Sequence, residues 1–148
     1  MRIIGTGIDI VGFARIRELL QSPERHFETS CFTDFELAGF SLPNKVQYLA
    51  GCFAAKESVL KALGTGWSQG IAWTDIEIVK RDPGAPQVLL IGRCAEIAFS
   101  LGITDWALTI SNCRSCAIAS AVASREDIPS LNNLPYGVCS ALPATHPS

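Results

Sequence analysis

The chain has 148 residues, nearly half of them apolar, which is enough for one domain with a hydrophobic core and excludes a disordered chain. Its 12 basic and 14 acidic residues leave a formal charge of −2, which argues against a general nucleic-acid binder. The start of the chain lacks the basic-then-apolar pattern of a signal peptide, and no uncharged apolar run reaches the ~18 residues of a membrane span, so a soluble cytoplasmic protein is expected.

The first predicted element is a strand over residues 2–11. Ile4, Ile8 and Ile10 alternate onto one face, while Ile3, Asp9 and Val11 take the other beside Gly5 and Gly7. A short helix over 14–20 exposes Arg15, Arg17 and Glu18 and is broken by Pro23. Thr33-Asp34-Phe35-Glu36 has the form of a capping box opening another short helix, which ends near Gly39 and Pro43. Asn44 is a good N-cap for a central helix of about 20 residues that stops at Gly64-Thr65-Gly66. Residues 74–81 alternate as a strand, Asp82-Pro83-Gly84 supplies a turn, and 87–91 return as the hairpin partner. A helix over 93–101 closes at Gly102, and 106–111 with 117–123 form a final hairpin. Hairpins and separate helices without regular βαβ alternation define an α+β fold. From Arg125 onward Pro129, Asn132, Asn133, Pro135, Pro143 and Pro147 break all periodicity. The expected division is a domain over 1–124 and an irregular tail over 125–148, ordered only where Leu131, Leu134 or Tyr136 docks.

Two carboxylates stand out against this pattern. On the central helix Val46, Leu49, Ala50, Phe53 and Leu60 form an apolar stripe, and Glu57 falls within roughly 20° of its centre at ~100° per residue. An unpaired carboxylate there is costly, and Lys61 lies one turn away to offset it. Asp9 is flanked by isoleucines on the strand face that the glycines leave open to a ligand or an approaching backbone. Asp9 and Glu57 suit Mg²⁺, which often takes one or two protein carboxylates and completes its shell with water and phosphate. An ordinary buried acid paired with Lys56, Lys61 or an arginine accounts for the same pattern.

The six cysteines fit a reducing compartment. Cys31, Cys52, Cys94 and Cys139 are scattered, and Cys113-Arg114-Ser115-Cys116 is the one CxxC. The only histidines, His26 and His146, supply no paired zinc motif. A redox CxxC usually opens a helix, whereas this one lies among strands, so it reads as ordinary hairpin or core cysteine.

Gly5-Thr6-Gly7-Ile8-Asp9-Ile10-Val11, Ala14-Arg15-Ile16 and the block Phe53-Ala54-Ala55-Lys56-Glu57-Ser58-Val59-Leu60-Lys61-Ala62-Leu63-Gly64-Thr65-Gly66 together carry a signature. Phe32-Thr33 with Glu36, Asp75-Ile76-Glu77-Ile78, the 82–86 turn and Leu108-Thr109-Ile110-Ser111 extend it. Over residues 2–123 the chain resembles the holo-acyl-carrier-protein synthases, the short members of the 4′-phosphopantetheinyl transferase superfamily. That resemblance implies antiparallel hairpins packed on a long central helix. It also implies Mg²⁺-dependent transfer of phosphopantetheine from coenzyme A to a serine of apo-acyl carrier protein, with release of adenosine 3′,5′-bisphosphate. Asp9 and Glu57 match the metal carboxylates, and Lys61 matches the lysine directed at the phosphates. Lys61, Gly64, Pro86, Ser111 and Asn112 fall at coenzyme A positions, and Arg15 matches an arginine that meets the acidic carrier protein. Arg17 and Arg25 could extend that basic patch. A homotrimer sharing its sites between subunits is likewise implied.

Two departures bear on activity. Cys52 stands where the family often has arginine, and Asn112 where many members have histidine. Both losses weaken the grip on coenzyme A unless Lys45, Arg114 or a neighbouring subunit compensates. They motivate one alternative, a non-catalytic paralogue that binds carrier protein or coenzyme A without turnover.

Overall fold

The computed structural model describes residues 1–23, 26–39, 42–68, 70–81 and 83–127. The expectations for Arg25, Asp82, Cys139, His146 and tail docking by Leu131, Leu134 or Tyr136 lie outside the described residues. The frame is a three-stranded antiparallel sheet in the order β1 (Arg2–Gly12), β5 (Cys116–Arg125), β4 (Asp105–Asn112). A second hairpin pairs β2 (Ile76–Val79) with β3 (Gln87–Leu90). Helices α1 (Phe13–Gln21), α2 (His26–Cys31), α3 (Asp34–Ala38), α4 (Lys45–Leu63) and α5 (Gly92–Ser100) complete the α+β architecture. None of the described helices is long and apolar enough to cross a membrane.

Helix α4 is the centre of the molecule. It packs on β1 and β5, whose inner face presents the buried side chains Ala117, Ala119, Ala121 and Ala123. Such small residues let the helix backbone approach the sheet closely. Gly5 and Gly7 carry this furthest: a Cβ at Gly5 would lie 2.0 Å from the Ala62 carbonyl oxygen, and one at Gly7 1.9 Å from that of Ser58. The backbone that the two glycines admit is therefore a helix.

The single apolar stripe expected on α4 is replaced by burial around most of its circumference. Gly51, Cys52, Ala55, Lys56 and Ser58 are buried along with Leu49, Phe53 and Leu60, because the β2–β3 hairpin and α1 cover the sides that the sheet leaves. Its C-terminus is as expected, with Gly64 in the left-handed conformation at φ 74°. Its N-terminus differs: a 3-10 turn (Leu42–Asn44) leads in, and the Asn44 side chain makes no capping bond.

The capping box on α3 is formed, with Thr33 and Glu36 bonding reciprocally. The strand expected from residue 74 begins at Ile76, because residues 73–75 form a 3-10 turn. There the Asp75 N–H donates to Ala72 O and its carboxylate accepts the Ala72 N–H. Helix α2 (His26–Cys31) has no counterpart among the expected elements, and the remaining helix and strand boundaries fall within two residues of expectation.

One sheet face is left uncovered by the described residues. Register sets Ile10 beside Ile118 and Ser111, and Ile8 beside Ser120 and Thr109, with Ile8 61% and Ile10 62% exposed.

Candidate active site

Strand β1 and helix α4 bring Asp9, Glu57 and Lys61 together. The close approach at Gly7 sets the strand against the turn of α4 that carries Ser58 and Lys61. Lys61 Nζ donates to Asp9 Oδ1 at 2.7 Å and to Ile8 O at 2.9 Å. The Asp9 side chain is 18% exposed and that of Lys61 49%, so the pair opens to solvent on the lysine side.

Lys61 therefore pairs with Asp9, whereas the sequence directs it to Glu57. Among the described residues no hydrogen bond or ion pair engages the Glu57 carboxylate. Burial and the negative charge of Asp9 push its pKa above the ordinary carboxylate value, against the opposing fields of Lys61 and Arg15. Lys61 bonds directly to Asp9, while Glu57 is met by Lys61 and Arg15 only through their fields. No group of three or more metal-ligating side chains occurs among the described residues. A pair of carboxylates nevertheless fits Mg²⁺, whose remaining positions go to water and phosphate oxygens.

Arg15 on α1 lies against the same site, its guanidinium 5.8 Å from the Phe53 ring centre. Phe53 in turn contacts Trp73, which stacks on the exposed Trp67 at 4.3 Å. The remaining sequence candidates are dispersed. Gly64 lines a groove of about 440 Å³ together with Thr65, Arg93 and Glu96. Asn112 shares the α4-facing side of the sheet with Asp9, one inward position further along, whereas Ser111 faces the uncovered side beside Ile118. Pro86 is half-buried just ahead of β3. The Gly64 N–H donates to Lys61 O at 3.1 Å as the cap of α4, and among the described residues no hydrogen bond joins these four positions to the side chains of Asp9, Glu57 or Lys61.

Sequence reasoning missed the strongest polar cluster. Lys56, next to Glu57, is wholly buried and pairs with the equally buried Glu36 at 2.7 Å. Its ammonium also donates to Cys31 O and Trp73 O, so all three donors are used. Glu36 accepts the Thr33 and Ile78 N–H groups as well. The capping box located the Glu36 carboxylate, but its partner lies 20 residues on in sequence and no local pattern marks it.

The family arginine position also reads differently in three dimensions. Cys52 is fully buried, and burial pushes its thiol up to about 12. Lys45, an expected compensator, is held by Glu28. Lys80, whose field lowers the Cys52 thiol against that burial, lies 4.2 Å from the Tyr48 ring centre.

A family model of the 4′-phosphopantetheinyl transferase superfamily matches residues 5–111, and the chain belongs to that superfamily. Within it the chain is an enzyme of the holo-[acyl-carrier-protein] synthase type. It is 43% identical to the holo-[acyl-carrier-protein] synthase of Desulfovibrio desulfuricans, over 81% of this chain and 96% of that protein. The fold is similar to the crystal structure of the Neisseria meningitidis holo-[acyl-carrier-protein] synthase, with a TM-score of 0.73 and 32% identity, covering 83% of this chain and 99% of that one. It is also similar to the Helicobacter pylori synthase in complex with coenzyme A, with a TM-score of 0.70 and 31% identity, covering 80% and 99% respectively.

Proposed function

We propose that the chain transfers 4′-phosphopantetheine from coenzyme A to a serine of apo-acyl carrier protein in a Mg²⁺-dependent reaction that releases adenosine 3′,5′-bisphosphate. The observation that carries this reading is the clustering of Asp9, Glu57 and Lys61 on a frame shared with a synthase described in complex with coenzyme A.

Phosphoryl transfer depends mostly on positioning and charge neutralisation. Asp9 and Glu57 would hold Mg²⁺, which when bound supplies charge stabilisation on the leaving phosphate. Lys61, half exposed and anchored at Ile8 O, presents a point charge to a phosphate oxygen. Gly64 and Thr65, on the groove shared with Arg93, offer a surface along which the nucleotide can lie. Arg15 places a cation between the reacting site and the outer face of α1, where an acidic carrier protein would be drawn in.

The uncovered isoleucine face supports a homo-oligomer, in keeping with the trimer that the resemblance implies. A second copy would cover Ile8 and Ile10 and bring a further surface toward the site. Coenzyme A and carrier protein as substrates are consistent with a cytoplasmic enzyme without nucleic-acid or membrane partners.

The test is the intact mass of an apo-acyl carrier protein incubated with the enzyme, coenzyme A and Mg²⁺. The expected result is the gain of one phosphopantetheine and an equimolar amount of adenosine 3′,5′-bisphosphate. Coenzyme A binding with no mass gain on any carrier protein would instead indicate a binding paralogue.

A further inference from the structure

The CxxC falls at the tip of the β4–β5 hairpin. Pairing runs to Asn112 and Ala117, and the Cys113 N–H then donates to Cys116 O at 2.9 Å. The two cysteines thus face each other across the connection Arg114-Ser115. Directly opposed residues of a hydrogen-bonded antiparallel pair have Cα atoms about 5.5 Å apart, inside the roughly 4.4–6.8 Å range that a disulfide spans. Their sulfurs are already 3.2 Å apart.

The two thiols are chemically unequal. The Ser115 N–H and the Cys116 thiol both bond to the Cys113 sulfur and hold its pKa down to about 7, while sharing that bond pushes Cys116 up. Cys113 is exposed, so the sulfur with the lowered pKa is free to attack a small disulfide. The other described cysteines are the opposite case. Burial pushes Cys31 and Cys94 up to about 11 and Cys52 up to about 12, so they are inert.

We propose that Cys113 and Cys116 are a reversible redox site that closes a disulfide across the β4–β5 turn by exchange with a low-molecular-weight disulfide. The Cys113 thiolate attacks one sulfur of the small disulfide, forming a mixed disulfide and expelling one thiolate. Cys116 loses its proton to solvent and its sulfur attacks Cys113 Sγ, expelling the second thiolate. Two protein thiols are oxidised and one small disulfide is reduced to two thiols, so atoms and electrons balance. The bridge closes around Arg114 and directly beyond Asn112, fixing the end of β4.

Oxidised glutathione is the probe, with peptide mapping of the intact chain by mass spectrometry. In the wild type we expect a Cys113–Cys116 disulfide with no retained glutathione, opened by dithiothreitol. In Cys116→Ser we expect a stable glutathione adduct on Cys113, because the resolving sulfur is gone. Glutathione retained on Cys113 in the wild type, or both thiols remaining free to alkylation, would overturn the proposal.

Discussion

Gly7 of β1 lies against Ser58 of α4 so closely that a methyl group would sit 1.9 Å from the Ser58 carbonyl oxygen. The contact sets the distance between the strand that carries Asp9 and the helix that carries Glu57 and Lys61. Gly7→Ala must therefore separate the two elements. Overpacking a core costs about 1–3 kcal/mol, and backbone on the facing side places this variant at the upper end. Urea denaturation should show the loss, and transferase activity should fall more steeply than stability.

The buried Lys56–Glu36 pair gives a second prediction. Lys56→Met leaves Glu36 buried with two backbone donors but no counter-charge. Breaking a buried pair by removing one partner costs about 3–5 kcal/mol, a large share of a small domain's stability. Glu36→Gln, which keeps an oxygen acceptor and adds donors that face no acceptor, should also destabilise. Non-additivity of the two in a double-mutant cycle would measure the coupling.

Glu57 titrates in a way that reverses the usual acid-stability trend. Its pKa in the folded state is raised, so the folded protein binds the proton more readily than the unfolded chain. The stability this provides is fully present below the ordinary value of 4.5 and is lost as pH rises through the raised folded value. Ionised Glu57 thus weakens the metal-free protein at neutral pH. Glu57→Gln should raise the metal-free melting temperature at pH 7.5, and the gain should disappear below about pH 4.5. Mg²⁺ should stabilise the wild type and have little effect on Glu57→Gln.

Arg15→Glu reverses a charge on the exposed side of α1 and should act mainly on encounter with the carrier protein. The expected signature is a KM for carrier protein raised by about tenfold or more at low salt, shrinking as ionic strength rises. The KM for coenzyme A should change much less.

The parts of the site that were legible in the sequence are those set by local pattern. Strand alternation with Gly5 and Gly7 placed Asp9 on the inward face, and helical spacing put Lys61 one turn from Glu57. Reciprocal capping made the Thr33–Glu36 turn readable in the same way. What escaped depends on partners distant in the chain. Lys56 looks like any helical lysine until the fold delivers Glu36, and Lys61 selects Asp9 over Glu57 because β1 crosses beside it. The burial of α4 on most sides is likewise a product of the alanines of β5 and the covering hairpin. The facing of Ser111 away from Asn112 follows from strand alternation, and only the β4–β5 register shows which of the two meets the helix.

The central claim is that Asp9 and Glu57 act together as a Mg²⁺ site for phosphopantetheine transfer. The most direct measurement is the initial rate of carrier-protein modification as Mg²⁺ is titrated into the chelated wild type, Asp9→Asn and Glu57→Gln. The account predicts no transfer in the chelated wild type, saturable activation by Mg²⁺, and a shift to much higher Mg²⁺ or loss of activity in each variant. Full activity in excess chelator, or an unchanged Mg²⁺ dependence in both variants, would contradict it.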